Sequence, residues 1–222
     1  MKPLFVVFEG LDGSGTSTQA QLLANRLKSE GQVHLTSQPS SGPIGQMIRS
    51  ALAGRVRFMA DEGIFDRQMA YLFAADRHDH LFNDVDGILA TLRKGYHVVC
   101  TRYIFSSFAY HCHSDDDFDF VRSLNSPFPA PDAVIYIDVP VGLAAERVAQ
   151  RSYPDRYENA RKLEIVRRAY ERGLQSFSGP LLRVAGGDEP HAIHARIVNF
   201  VDIVAQARMS SATYPDEAGR AL

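Results

Sequence analysis

The chain has 222 residues, with 24 Lys and Arg against 26 Asp and Glu, a net charge of −2 and a pI near 6.4. That balance excludes the broad positive footprint of a protein that tracks nucleic acid or an anionic membrane. Two cysteines, Cys100 and Cys112, exclude a disulfide framework and fit a reducing compartment. The N-terminal apolar run at 4–8 is too short for a signal sequence or a membrane span, so the expected location is the cytoplasm.

Runs rich in Val, Ile and Phe at 4–8, 33–36, 97–101, 133–138 and 181–184 predict five strands. Amphipathic stretches at 16–30, 44–53, 62–93, 141–150, 158–176 and 191–208 predict the helices between them, the third broken near 83–86. This alternation predicts an α/β domain with a mostly parallel sheet and helices on both faces. One domain over 1–208 is expected, with a lid at about 147–157 and a small, polar, flexible tail at 209–222. In such a sheet, ligands gather at the carboxyl ends of the strands.

The first strand runs into Gly10-Leu11-Asp12-Gly13-Ser14-Gly15-Thr16-Ser17. This matches the phosphate-binding pattern G-x-x-x-x-G-K-[ST] except at the lysine, where Thr16 stands. Gly10, Gly13, Ser14, Gly15, Thr16, Ser17 and Thr18 are the expected cradle for a nucleotide triphosphate, with the following helix pointing its positive end at the same place. Ser17 is placed to ligate Mg²⁺.

Further along, Phe73 and Arg77 share one face of the helix at 62–93, a pairing that suits a planar base. A core phenylalanine and a surface ion pair of Arg77 with Asp66 or Asp76 explain the same spacing. The third strand ends in Thr101-Arg102-Tyr103, followed by Ser106, Ser107 and Tyr110 within reach of a sugar or base. An arginine at the end of a buried strand needs an anion: a nucleotide phosphate, or a structural salt bridge to Asp12 or Asp138. Arg147, Arg151, Arg156 and Arg161 form either a solvated helix face or a lid over a transferring phosphate. The histidine pairs His78/His80 and His111/His113 point to different helix faces, and Asp115-Asp116-Asp117 reads as an acidic surface loop rather than a metal site.

In these motifs the chain resembles the thymidylate kinases, P-loop nucleoside-monophosphate kinases, over about residues 3–205. The resemblance rests on Phe8-Glu9-Gly10-Leu11-Asp12-Gly13-Ser14-Gly15 with Ser17-Thr18-Gln19, on Leu72-Phe73-Ala74-Ala75-Asp76-Arg77, on Arg102-Tyr103 with Ser107, Ala109 and Tyr110, on Pro131-Asp132, and on Asp155-Arg156-Tyr157-Glu158. It implies the three-layer P-loop NTPase fold around a five-stranded parallel sheet, and transfer of the γ-phosphate of ATP, with Mg²⁺, to dTMP to give dTDP. Phe73 would stack on thymine, Arg77 would bond its edge, and Ser106 and Tyr110 would complete the dTMP pocket. Arg102 would hold the dTMP phosphate, and Asp12 the sugar hydroxyl or metal shell. Arg151 and Arg156 would supply charge from the lid. The resemblance also implies a homodimer.

Three departures bear on activity. Thr16 replaces the lysine, Thr101 the aspartate before Arg-Tyr, and Gln38 the glutamate of a Glu-Pro turn. Losing one transition-state donor costs about 10²–10³ in rate. Together the first two departures predict slow turnover, and they keep two further readings open: a kinase for another or modified pyrimidine monophosphate, and a non-catalytic nucleotide-binding homologue.

Overall fold

The computed structural model describes residues 2–56, 61–150 and 160–210. Five strands, β1 (Phe5–Gly10), β2 (Val33–Ser37), β3 (His97–Thr101), β4 (Ala133–Asp138) and β5 (Leu181–Ala185), form one sheet in the order β2-β3-β1-β4-β5. Every pairing is parallel. The connecting helices are α1 (Thr16–Leu27), α2 (Pro43–Leu52), α3 (Glu62–Phe82), α4 (Ile88–Arg93), α5 (Ile104–His111), α6 (Asp115–Asn125), α7 (Val141–Ala149), α8 (Ala160–Gln175) and α9 (Pro190–Ser210).

Central β1 is buried along its whole length, which is why it reads as a continuous apolar run rather than an alternation. One face packs Val6 and Phe8 against Leu23 and Leu27 of α1 and Ile197 and Val201 of α9. On the other, Phe65 and Met69 of α3, Phe105 of α5 and Tyr170 and Leu174 of α8 meet Val134 and Tyr136 of β4. Each such side chain contributes about 1.5–3 kcal/mol when fully buried, so the three layers hold without staples. The strand order reverses direction between β1 and β3, leaving a crevice at their carboxyl ends, where the glycine-rich loop lies.

The five strands and the break after α3 match the expectation, the latter made where the Asn83 side chain accepts from the Val85 N–H at 2.8 Å. Two helices were not anticipated. Helix α5 is buried from Phe105 to His111, so no polar face marks its period. The acidic run expected as a loop is the first turn of α6, where carboxylates favour the helix dipole. Ser114 caps it, exchanging hydrogen bonds with Asp117 in a capping box. Helix α9 continues through Ser210, so the expected tail boundary at 209 falls inside it.

Candidate active site

The loop between β1 and α1 turns through Gly13 (φ 81°) and Gly15 (φ 92°), both left-handed conformations that L side chains resist. At Gly13 a Cβ would also lie 2.6 Å from the Ala144 carbonyl oxygen, because α7 rests directly on the loop there. The loop walls a cavity of about 420 Å³ lined by Gly13, Ser14, Gly15, Thr16, Ser17 and Thr18, together with Thr101, Arg102, Arg147 and Asp188. Gly10 lies behind this wall; a Cβ there would strike Ser14 Oγ at 2.7 Å and the Ile137 carbonyl at 2.8 Å, so its role is to let the loop close on β4. The Ser14 hydroxyl is buried without a hydrogen-bond partner among the described residues.

A second cavity of about 120 Å³ is lined by Asp12, Gln38, Pro39, Leu52, Phe73, Arg102, Ser106, Ser107, Tyr110 and His111. The two cavities share Asp12 and Arg102. Arg102 stands at φ 66°, the one non-glycine residue with positive φ among the described residues. That turn aims its guanidinium at Asp12 Oδ1 (2.6 Å) and at the Tyr170 hydroxyl (3.0 Å). Asp12 Oδ2 also accepts from the Tyr110 hydroxyl at 2.7 Å. Of the two structural partners open to Arg102, the structure has Asp12; Asp138 is held by Arg167 at 3.0 Å.

Below this cluster Glu9 is fully buried. It accepts from the Tyr103 N–H (2.7 Å), the Ser106 hydroxyl (2.6 Å) and the Tyr170 hydroxyl (3.0 Å). Burial raises its pKa, opposed by Ser106 and by the charge of Arg102. Burial lowers that of Arg102, but its neighbours, Asp12 foremost, leave the net shift upward, so it remains a cation.

Arg77 occupies neither surface ion pair. It is buried behind the second cavity, donating to Gln38 Oε1 (2.9 Å), Ser107 Oγ (3.1 Å), the Tyr103 carbonyl (2.9 Å) and Asn125 Oδ1. It thereby orients two side chains that line the cavity, while Asp76 is taken by Ser40. Phe73 lies on the wall with its ring 5.2 Å from that of His111. Burial pushes His111 down to about 4, so its imidazole is neutral near pH 7.

Arg151 and Arg156 lie outside the described residues, as does most of the stretch expected as a lid; Arg147 belongs to α7. Sequence reasoning missed Tyr170 and Asn125, which support Arg102 and Arg77. Tyr170 sits on the apolar face of an amphipathic helix and Asn125 at the end of one not anticipated, so neither carried a local signal.

A phosphate-binding loop at the switch point of an all-parallel sheet, joined to a smaller cavity by a carboxylate–guanidinium pair, defines a P-loop protein with two adjoining sites. The family model described as thymidylate kinase matches residues 8–197, and the chain belongs to that family. A relative from Treponema pallidum named as a thymidylate kinase is 34% identical over 203 residues, covering 89% of this chain and 94% of its own. One so named from Pyrobaculum aerophilum is 40% identical over 168 residues, covering 75% and 80% respectively. The solved thymidylate kinase of Candida albicans superposes with a TM-score of 0.72 at 22% identity, covering 91% of this chain and 92% of its own.

Proposed function

We propose that the protein phosphorylates dTMP, transferring the γ-phosphate of ATP to give dTDP and ADP. The observation that carries this is the sharing of Asp12 and Arg102 between the two cavities, since donor and acceptor phosphates must meet in line. ATP would lie in the larger cavity with its phosphates on the N–H groups of 13–18. The monophosphate would enter the smaller one, its base on Phe73 and facing Gln38 and Ser107, its sugar beside Tyr110 and its phosphate taking Arg102. Ser106 and Tyr170 keep Arg102 in place, and Arg77 acts through Gln38 and Ser107.

Mg²⁺ fits the donor set. The Ser17 hydroxyl and Asp12 carboxylate line the larger cavity, and no group of three or more His, Cys, Asp or Glu among the described residues competes as a protein cage. Bound there, it would neutralise phosphate charge. The lid at about 147–157, with Arg151 and Arg156, would add cationic charge. The domain, which runs through the end of α9 at Ser210, would act in the cytoplasm. No helix among the described residues is long and apolar enough to cross a membrane. A homodimer is supported by Ile64 and Tyr71, both about half exposed on α3.

A coupled ADP-release assay with each nucleoside monophosphate tests the reading: dTMP is the best acceptor, and no turnover with dTMP at micromolar enzyme refutes it. A second reading, a modified pyrimidine as acceptor, is favoured by the neutral imidazole of His111 in the base cavity. A tenfold preference for such a nucleotide, about 1.4 kcal/mol, would establish it.

A further inference from the structure

On the wall of the smaller cavity, Gln38 is held in one orientation by its neighbours. Its backbone N–H donates to the Thr101 carbonyl at 2.9 Å, which fixes the root of the side chain. Arg77 Nε meets one end of its amide at 2.9 Å. A guanidinium only donates, so that end is the oxygen and Nε2 is turned the other way. There Nε2 lies 3.3 Å from Nδ1 of the buried His80.

An amide nitrogen also only donates, so His80 Nδ1 carries the lone pair and the ring proton sits on Nε2. Nε2 is 2.8 Å from Thr36 Oγ1, which accepts it. Arg77, Gln38, His80 and Thr36 thus donate in one direction along a single chain. A proton on Nδ1 would face the Gln38 N–H groups. Flipping the amide relieves that contact but sets the same N–H groups against Arg77, so neither orientation satisfies both neighbours. Burial favours the neutral ring and lowers its pKa below 6.5; Arg77 on α3 and His34 on β2 act the same way, Asp76 and Asp86 against it. Asp76, one turn from His80, is engaged by the N–H and hydroxyl of Ser40 at 2.7 and 2.5 Å.

We propose that His80 is a positioning residue for the acceptor: its neutral Nε2–H tautomer holds the Gln38 amide with one N–H left for a carbonyl of the bound base, and protonation of His80 turns that amide and weakens acceptor binding. The second hydrogen on Gln38 Nε2 has no partner among the described residues. His80 does not line the cavity and acts through Gln38. The inference rests on the smaller cavity holding the acceptor base, but not on that base being thymine.

Nitrogen NMR of the histidine rings in the full chain, with His80 assigned by its loss in His80→Asn, tests the chain of donors directly. Near pH 7 His80 should be the Nε2–H tautomer; an Nδ1–H tautomer overturns the proposal whatever the acceptor proves to be. Saturating monophosphate should lower the midpoint of the His80 titration by about 0.5, a preference of about threefold for the neutral ring. The phosphate anion alone would raise that midpoint, so a rise or no change overturns the proposal. Kinetics supply the functional arm. His80→Asn offers Oδ1 in place of Nδ1 and should keep the KM for the monophosphate within about threefold of wild type. His80→Leu offers no acceptor and should raise it about tenfold, with the KM for ATP within about twofold. Equal values in the two variants overturn the proposal. Asparagine takes up no proton, so the ratio of wild-type to His80→Asn KM should rise as pH falls across the midpoint read by NMR, while the nucleotide's own titration cancels. A flat ratio overturns the proposal. Melting temperatures show which variants are folded, and His80→Gln stands in if the asparagine variant is not. The monophosphate used is whichever the ADP-release assay selects, so failure of dTMP there refutes the function above and leaves this test intact.

Discussion

Replacing Tyr170 by phenylalanine removes one oxygen and leaves the ring, so no cavity opens among its neighbours Tyr110 and Tyr136. That oxygen accepts from Arg102 at 3.0 Å, donates to Glu9 at 3.0 Å and lies 2.8 Å from the Ser106 hydroxyl. Hydrogen bonds to charged groups contribute about 1.5–3 kcal/mol each, but both charges keep other partners, so a total loss of about 2–3 kcal/mol is expected. At about 2–4 °C per kcal/mol for a chain of this size, the melting temperature should fall by about 4–12 °C. Loosened Arg102 should raise the KM for the monophosphate about tenfold while leaving that for ATP within about twofold. The pH dependence follows from Glu9. Burial raises its folded pKa above the ordinary 4.5, so the folded state binds the proton more tightly, and stability falls as pH rises from 4.5 through the folded pKa. The lost hydroxyl stabilises the ionised carboxylate, so the variant should be hurt more above that window than below it. Urea unfolding at pH 4 and pH 8, with monophosphate kinetics at pH 8, checks this. A melting temperature within 1 °C of wild type and an unchanged KM would show that the hydroxyl bridges nothing that matters.

Gly13→Ala should lower both stability, by about 1–3 kcal/mol, and ATP affinity, since it combines a left-handed φ with a 2.6 Å approach to Ala144; thermal melts and ATP calorimetry measure the two effects. Phe73→Ala should weaken the monophosphate by about 10–100-fold, the scale of base stacking, with ATP binding unchanged in the same titrations. His113 lies 2.9 Å from Asp66, whose hydrogen bond raises its pKa above 6.5. Its small contribution is complete below pH 6.5 and is lost as pH rises through the folded value. His113→Gln should therefore flatten the melting temperature between pH 6 and pH 8, and an unaltered slope would show that the pair does not couple to folding.

The order of strands and helices was legible because it depends on local signals. Continuous apolar runs mark strands buried on both faces, and the glycines of 10–15 stand where backbone sterics leave few alternatives. Helix α5 escaped notice because burial on all sides erases the period that sequence reading depends on. Arg77 illustrates a different limit. Its spacing from Phe73 placed both on one helix face, but the depth that separates a cavity wall from the layer behind it arises only when β2 and α6 bring Gln38 and Asn125 to the guanidinium.

What the amino-acid order determined alone is the kind of site: a glycine-rich phosphate-loop pattern without its lysine, an aromatic sharing a helix face with an arginine, and an arginine at a strand end. The tertiary structure decided which charges meet. Arg102 is turned onto Asp12 by a left-handed backbone and supported by a tyrosine 68 residues away, and Arg147 is laid against the loop from a helix 134 residues beyond Gly13. Such partnerships depend on the angle and depth at which layers pack. They leave no periodic or local trace in the chain, because electrostatic coupling acts through space and not along the backbone.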